Sequence, residues 1–240
     1  MFQKSLFFIF VLVLVMGFIS SVFSVDIRDE KLLSDEEDRV ANAIEVIEEM
    51  VEIPEEGIPE ALLSKAYGIA IIPKVIKAAW VVGGRYGKGV LLVRKETGQW
   101  SQPCFIRIAG GSVGWQIGVQ SADIILVFKR RKSIDSITEG KITLGADAGV
   151  AAGPVGRRAE ASTDIELEAE IYSYSKSRGL FAGVSIEGAA IQIDQDANAN
   201  FYRRDSVSPQ DILFGEKQLR APFIAEKLRK ILTEYTTTYL

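Results

Sequence analysis

Apolar residues in the first part of the chain recur at helical spacing. Val40, Ile44, Ile47 and Val51 form one stripe, while Asp38, Glu45, Glu48, Glu49 and Glu52 face elsewhere. Ser34-Asp35-Glu36-Glu37 just before them is a capping box: the Ser34 hydroxyl accepts from a free backbone N–H and Glu37 reaches back to the Ser34 N–H. The spacing predicts a helix that ends at Pro54 and Gly57, and a short second helix opened by Pro59 and running through Leu63 to Lys65. From Ile69 to Asp194 the period changes. Strand-forming runs are expected at 69–72, 78–82, 89–94, 105–108, 113–119, 123–129, 141–150, 165–175, 180–184 and 187–193. In 165–171 Ile165, Leu167, Ala169 and Ile171 alternate with glutamates, which predicts one wet face. Ile124 to Phe128 is apolar on both faces and predicts a central, covered strand. Ser208-Pro209 opens a short helix, and Pro222 a last one striped with Phe223, Ile224, Leu228, Ile231 and Leu232.

Eighteen of the 21 glycines lie between Gly68 and Gly188, inside the strand-rich part. Glycine within strands marks bulges, tight bends or close backbone approach. The fold class expected is therefore α+β: a curved or barrel-like antiparallel sheet core with amphipathic helices at the N- and C-terminal ends.

Charge divides the chain. Residues 25–60 hold 14 acidic and 3 basic side chains, whereas residues 61–240 hold 24 basic and 18 acidic. An acidic segment folded over a basic surface, or two faces with different partners, would both produce this asymmetry. The apolar stretch Leu6 to Met16 behind Lys4, with Val22-Phe23-Ser24 after it, reads as a signal peptide over 1–24, the alternative being an uncleaved anchor. That reading predicts an exported, periplasmic or secreted protein, peripheral on a membrane. Residues 25–240 are then expected to form one domain, with an acidic helical lead-in at 34–65, a β-rich core at 67–202 and C-terminal helices at 208–236. Cys104 is the only cysteine, so no intramolecular disulfide exists, and a small buried apolar role is expected for it.

Catalytic chemistry finds few residues to use. Gly110-Gly111-Ser112-Val113-Gly114 fits the G-x-S-x-G pattern, but the chain has no histidine and 113–119 continues as strand, so a nucleophile elbow at Ser112 lacks both its base and its helix. Gly83 to Gly89 looks like a phosphate-cradling loop without the Gly-Lys-Ser/Thr ending or a following helix. Asp194, Asp196 and Asn198 alternate like calcium ligands, yet Asp205 stands at the twelfth place instead of glutamate. No catalytic residue, metal or cofactor is assigned.

Basic clusters remain. Lys129-Arg130-Arg131-Lys132 directly follows the covered strand and is expected in a loop at one sheet end. Arg157-Arg158 follows a Gly-Pro-Val-Gly turn, Lys74 and Lys77 flank another turn, and Arg85 and Lys88 sit in the glycine-rich hairpin. Clustered cations beside apolar side chains suit anionic lipid headgroups, at about 1 kcal/mol per charge near such a surface. Cations that merely blunt sheet edges are the plain alternative.

Four blocks in order carry a resemblance. They are Tyr67 to Phe105, GGSVGWQIGVQSADIILVF at 110–128, TLGADAGVAAGPVGRRAEAST at 143–163, and YSYSKSRGLFAGVSIEGAAIQID at 172–194, ending near Tyr202. Over roughly 40–202 the chain resembles the SYLF domain family, a lipid-binding module of yeast actin-patch proteins, plant FYVE proteins and bacterial proteins. The resemblance implies a non-catalytic module that binds anionic phospholipid, phosphoinositide-like or other, or a membrane surface. An envelope protein-interaction or structural role is the alternative, and a hydrolase using carboxylates or Ser112 the second. Nucleic acid is not an expected partner, and the reading of export sets actin aside. Family members in eukaryotes insert a leading amphipathic helix into membranes; here the polar face of that helix is acidic, so packing on the sheet is expected instead.

Overall fold

The computed structural model describes residues 33–51, 57–79, 82–113, 118–155, 168–177, 180–215 and 219–237; the expected signal segment 1–24 and the Arg157-Arg158 pair lie outside them. The capping box forms as the spacing predicts: the Ser34 N–H donates to the Glu37 carboxylate at 3.0 Å and the Glu37 N–H to Ser34 Oγ at 3.2 Å. It opens α1 (Asp35–Val51). Val40, Ala43, Ile44, Ile47 and Met50 of α1 are buried, so its apolar side is consumed by the core. The short helix α2 (Glu60–Ser64) follows, with Leu62 and Leu63 buried.

The strands are β1 (Gly68–Ala79), β2 (Val82–Val93), β3 (Cys104–Val113), β4 (Gly118–Phe128), β5 (Lys141–Thr143), β6 (Val150–Ala152), β7 (Ile171–Ser177), β8 (Leu180–Gly183) and β9 (Ala189–Ile193). They make one strongly curled, half-barrel sheet in the order β5-β9-β3-β2-β1-β4-β7-β6, with β8 on β7. Every pairing is antiparallel except β6 with β7, which is parallel. Ile124 to Phe128 in β4 is central and buried on both faces, as expected. Three expected runs are corrected. The run 78–82 is the end of β1 and the start of β2, the run 141–150 breaks into β5 and β6 around a turn with Gly145 at φ 86°, and the 165–175 run yields β7 only from Ile171. Ile165 and Leu167 fall outside the described residues.

The curl has a local cause. β1 bulges between Ile72 and Val75, where Lys74 adopts φ 52° and its N–H leaves the ladder for Asp123 Oδ1 at 2.8 Å. Opposite the bulge, a Cβ on Gly89 would lie 2.2 Å from the Ile71 carbonyl oxygen and 2.8 Å from the Ile72 Cα. The two backbones approach more closely than any side chain allows. Below the bulge, Ile69 to Ile72 and Val90 to Val93 are buried; above it, Ile76, Tyr86 and Lys88 are exposed.

Helices cover the lower half. Besides α1 and α2 these are α3 (Arg131–Glu139), α4 (Gln195–Tyr202), α5 (Pro209–Phe214) and α6 (Phe223–Thr237). Ser208 caps α5 by accepting from the Asp211 N–H at 3.0 Å. In α6 Ala225, Leu228, Ile231 and Leu232 are buried, but Phe223, expected in the stripe, is exposed. Two helices went unpredicted. α3 lies between strands, where only terminal helices were expected; its apolar face is just Ile134 and Ile137, too sparse to register as periodic, and Ile134 packs where a Cβ on Gly68 would sit. α4 is held by a polar residue instead of a stripe. The buried Asn198 accepts from the Phe105 N–H at 2.9 Å and donates to the carbonyls of Phe105 at 3.2 Å and Asp194 at 3.0 Å. Cys104 is beside it, with Asn198 Nδ2 3.7 Å from the sulfur.

Asn198→Ala leaves the buried Phe105 N–H without its acceptor, so a loss of about 1–3 kcal/mol is expected in urea unfolding; a change within a few tenths would remove this contact as a determinant of the fold. Burial pushes the Cys104 thiol up to about 12. The native chain should therefore resist thiol reagents at pH 8 and react once denatured, and rapid stoichiometric labelling of folded protein would contradict the buried placement.

Candidate functional site

Strand pairing, rather than sequence proximity, assembles the cations above the bulge. Lys77 is directly opposite Arg85 on β2 and Gln120 on β4, and Arg85 is opposite Gly110 on β3. Directly opposed residues share a face, so Arg85, Lys77 and Gln120 form a polar row across three adjacent strands. The Arg85 Nε is buried with no hydrogen-bond partner, and burial lowers the pKa of the guanidinium from its ordinary value. An arginine stays charged through such a shift. Two like charges in register repel, so the row is a place where an anion would relieve an existing strain.

A second row lies on the other face. Lys88 pairs with Arg107, Arg107 with Gln192, and Gln192 with Lys141, across β2, β3, β9 and β5. Arg107 Nε is also buried without a partner. Among the described residues no carboxylate forms an ion pair with Lys77, Arg85, Lys88 or Arg107. Arg107, Gln120 and Lys141 were not anticipated. Each is one polar residue in a strand-forming run, and only the register shows which cation it joins.

The remaining cations do not converge on these rows. Lys74 sits at the bulge with its Nζ donating to Asn42 Oδ1 at 2.7 Å. The 129–132 cluster is at the far end of the sheet, since Phe128 pairs with Gly68 at the start of β1. It is also not the loop expected: Arg130 caps α3, and Arg131 and Lys132 are its first residues. Arg130 pairs with Glu170 at 3.8 Å, Arg131 pairs with Asp135 at 3.4 Å and lies over the Phe214 ring, and Lys129 lies over Tyr172 at 6.0 Å. Burial, then Arg130 and Lys65 nearby, lower the Lys129 ammonium. Lys132 is exposed.

Other features are structural. Ser112 lies within β3 opposite Gly83, inside a strand rather than at a strand-to-helix turn. Asp194 and Asn198, weighed as calcium ligands, are occupied: Asp194 is 3.2 Å from Arg39 and Asn198 is bonded to β3. No cluster of metal-ligating side chains is present among the described residues. A groove of about 520 Å³ runs beside α6, lined by Gln99, Trp100, Glu226, Arg229, Lys230 and Thr233. Its charges are mutually paired, Arg229 with Glu226 and Lys230 with Glu234.

Comparison with known proteins adds the following. The profile of the Ysc84 family, described as "Las17-binding protein actin regulator", matches residues 109–235. The chain is 38% identical over 187 residues to SH3 domain-containing YSC84-like protein 1 of Xenopus laevis, covering 78% of this chain and 55% of that protein. It is 40% identical over 178 residues to protein YSC84 of Saccharomyces cerevisiae, covering 73% and 37%. To LAS seventeen-binding protein 3 of Saccharomyces cerevisiae it is 38% identical over 185 residues, covering 76% and 39%. The chain thus spans about half the length, or less, of these relatives. These relatives are eukaryotic, and the family is described as an actin regulator, which overturns the expectation of an exported, periplasmic or secreted protein. With it goes the reason for setting actin aside.

Proposed function

The chain belongs to the Ysc84 family of Las17-binding protein actin regulators, the SYLF family of the resemblance, and on that premise we propose that it is a non-catalytic module binding anionic lipid headgroups through the cations above the bulge. The observation that carries this reading is the Arg85–Lys77 pair: two opposed cations with no carboxylate paired to them among the described residues, one with a buried N–H that has no partner there. A buried donor without an acceptor costs about 1–3 kcal/mol, which an incoming phosphate or carboxylate oxygen returns. The 129–132 cluster is a weaker surface, because Arg130 and Arg131 already pair with acids. The acidic α1 packs on the sheet, with Glu49 reaching Lys176 at 2.5 Å. A protein partner is the second reading, favoured by the family's description as Las17-binding; the same cations would meet an acidic protein surface.

Cosedimentation with phosphatidylcholine vesicles carrying graded phosphatidylserine tests the proposal. The Lys77→Gln/Arg85→Gln double variant is expected to lose about 2 kcal/mol of binding, roughly 30-fold, while Lys132→Gln changes it little. Binding that survives the double variant unchanged would exclude this row. No binding of the parent chain at any composition or salt would favour the protein-partner reading.

A further inference from the structure

We infer that the Pro73-Lys74 bulge, pinned by Asp123, decides on which side of the sheet the cation site forms: its one surplus residue turns Lys77 to the face of Arg85. Lys74 and Asp123 are positioning residues, acting on the site through strand register. The binding half of this role rests on the lipid reading above; the register half does not. Below the bulge Ile71 is opposite Val90 on β2 and Ile125 on β4; above it Ile76 is opposite Tyr86 and Ser121. Five steps along β1 are matched by four along each neighbour. Side chains alternate along a strand, and directly opposed residues share a face. The surplus residue therefore reverses the alternation of β1 while β2 and β4 keep theirs. Ile69 and Ile71 occupy one face below the bulge, Ile76 and Ala78 continue it above, and Lys77 passes to the face of Ala70 and Ile72. In an unbulged β1 Lys77 would keep the face of Ile71 and stand opposite Gly84, and Ile76 would take the place opposite Arg85. The paired cations exist because β1 is one residue longer than its partners at this point.

The bulge is written in the sequence and held from three sides. β1 lies inside the sheet, between β2 and β4, and Pro73 has no N–H to give to the ladder there. Within sheets proline is confined to edges and bulges. On β4, Pro73 and Lys74 together face the single residue Asp123, since Ile72 is opposite Ile124 and Val75 opposite Ala122. The Asp123 carboxylate accepts the Lys74 N–H at 2.8 Å, while Lys74 holds φ 52°. Glycine enters that region freely, and β-branched residues hardly at all. On β2 the bulge meets Gly87, where a Cβ would lie 2.7 Å from Val75 Cγ2. α1 closes the third side. Asn42 accepts from Lys74 Nζ at 2.7 Å, and Glu49, about two turns on, pairs at 2.5 Å with Lys176, which is opposite Asp123 on β7.

Variants of the full chain separate backbone preference from charge. Lys74→Gly and Lys74→Ile remove the same cation, but glycine accepts the left-handed conformation and isoleucine resists it. On phosphatidylcholine vesicles carrying phosphatidylserine, Lys74→Ile is expected to pellet about fivefold more weakly than Lys74→Gly, the effect of misplacing one cation. Asp123→Ala should weaken pelleting, and Asp123→Asn, which keeps an acceptor for the Lys74 N–H, should restore it. A carboxylate acting only by its charge would instead make both variants bind an anionic surface more tightly. Register is read without lipid by oxidative cross-linking, since directly opposed residues lie within disulfide range. The pair Lys77→Cys/Arg85→Cys reports the bulged register and Ile76→Cys/Arg85→Cys the slipped one. The first is expected to close in the parent and in Lys74→Gly, and the second to gain at its expense in Lys74→Ile and Asp123→Ala. Cys104 is buried, so its protection from thiol reagents shows that a variant is folded. Should Lys74→Ile lose that protection, the two Asp123 variants carry the test. Equal pelleting and equal cross-linking of folded Lys74→Gly and Lys74→Ile would overturn the proposal. Cross-links that shift while pelleting stays constant would overturn the role in binding. No pelleting of the parent chain would sink the lipid reading, and the cross-links alone would then decide the register role.

Discussion

Beyond Ile193 the strand β9 has run out, yet β3 still has a peptide group to satisfy at Phe105. The Asn198 side chain supplies it, presenting an acceptor to the Phe105 N–H and a donor to the Phe105 carbonyl, as a further residue of β9 would. A side-chain amide has the same donor and acceptor as a backbone amide, so the ladder continues on a helix. The Asp194 N–H also donates to that carbonyl, at 2.9 Å. This fixes α4 against β3 and brings Phe201 onto Phe105, with ring centroids 4.9 Å apart. Arg39 of α1 then lies over the same Phe105 ring at 5.3 Å and pairs with Asp194. The first helix, the fourth helix and the third strand thus meet at one aromatic ring, and the cover over the lower sheet is built outward from it.

The second organising feature is the bulge. A regular β1 would carry its alternation straight through, and helices would cover its whole length or none of it. Instead the αL residue Lys74 and the glycines facing it bend the sheet and separate two environments. Aliphatic residues below the bend are enclosed. Above it the same strands present cations and isolated apolar side chains to solvent. The bend is held by Asp123, whose carboxylate accepts the N–H that the bulge removes from the ladder, and Lys74 in turn reaches Asn42 on α1. Helix position and sheet curvature are therefore connected through a few polar contacts.

The parts that the sequence disclosed were those written in local chemistry. The Ser34–Glu37 box, the α1 stripe, the double-sided apolar run of β4 and the Ser208 cap are all decided within a few residues, and each is present. The strand breaks inside 141–150 and before Ile171 depend on partners distant in sequence, and propensity alone joined what pairing separates. α4 was hidden for a different reason: its anchor is a buried asparagine, and a polar residue on a short segment looks like a solvated or ligating one until its partners are known. For the binding surface, composition located cations but not their grouping. Lys88 was singled out, whereas Arg107, its partner on β3, needed the register. The basic run at 129–132 drew notice because its charges are consecutive, yet consecutive charges on a helix point in different directions and find different acids.

The ends of the folded unit are also arranged. Glu36, at the start of α1, is 3.3 Å from Asn200 beyond the end of β9, and Thr236, near the end of α6, accepts from Trp100 in the β2–β3 connection. Both lie at the end of the sheet away from Ala79 and Val82, and α1 and α6 pack together. The relatives are longer chains, one of them named for an SH3 domain. The start of α1 and the end of α6 close on each other at the covered end of the sheet, and the opposite end, where Ile76 and Val119 are exposed, is built without either of them.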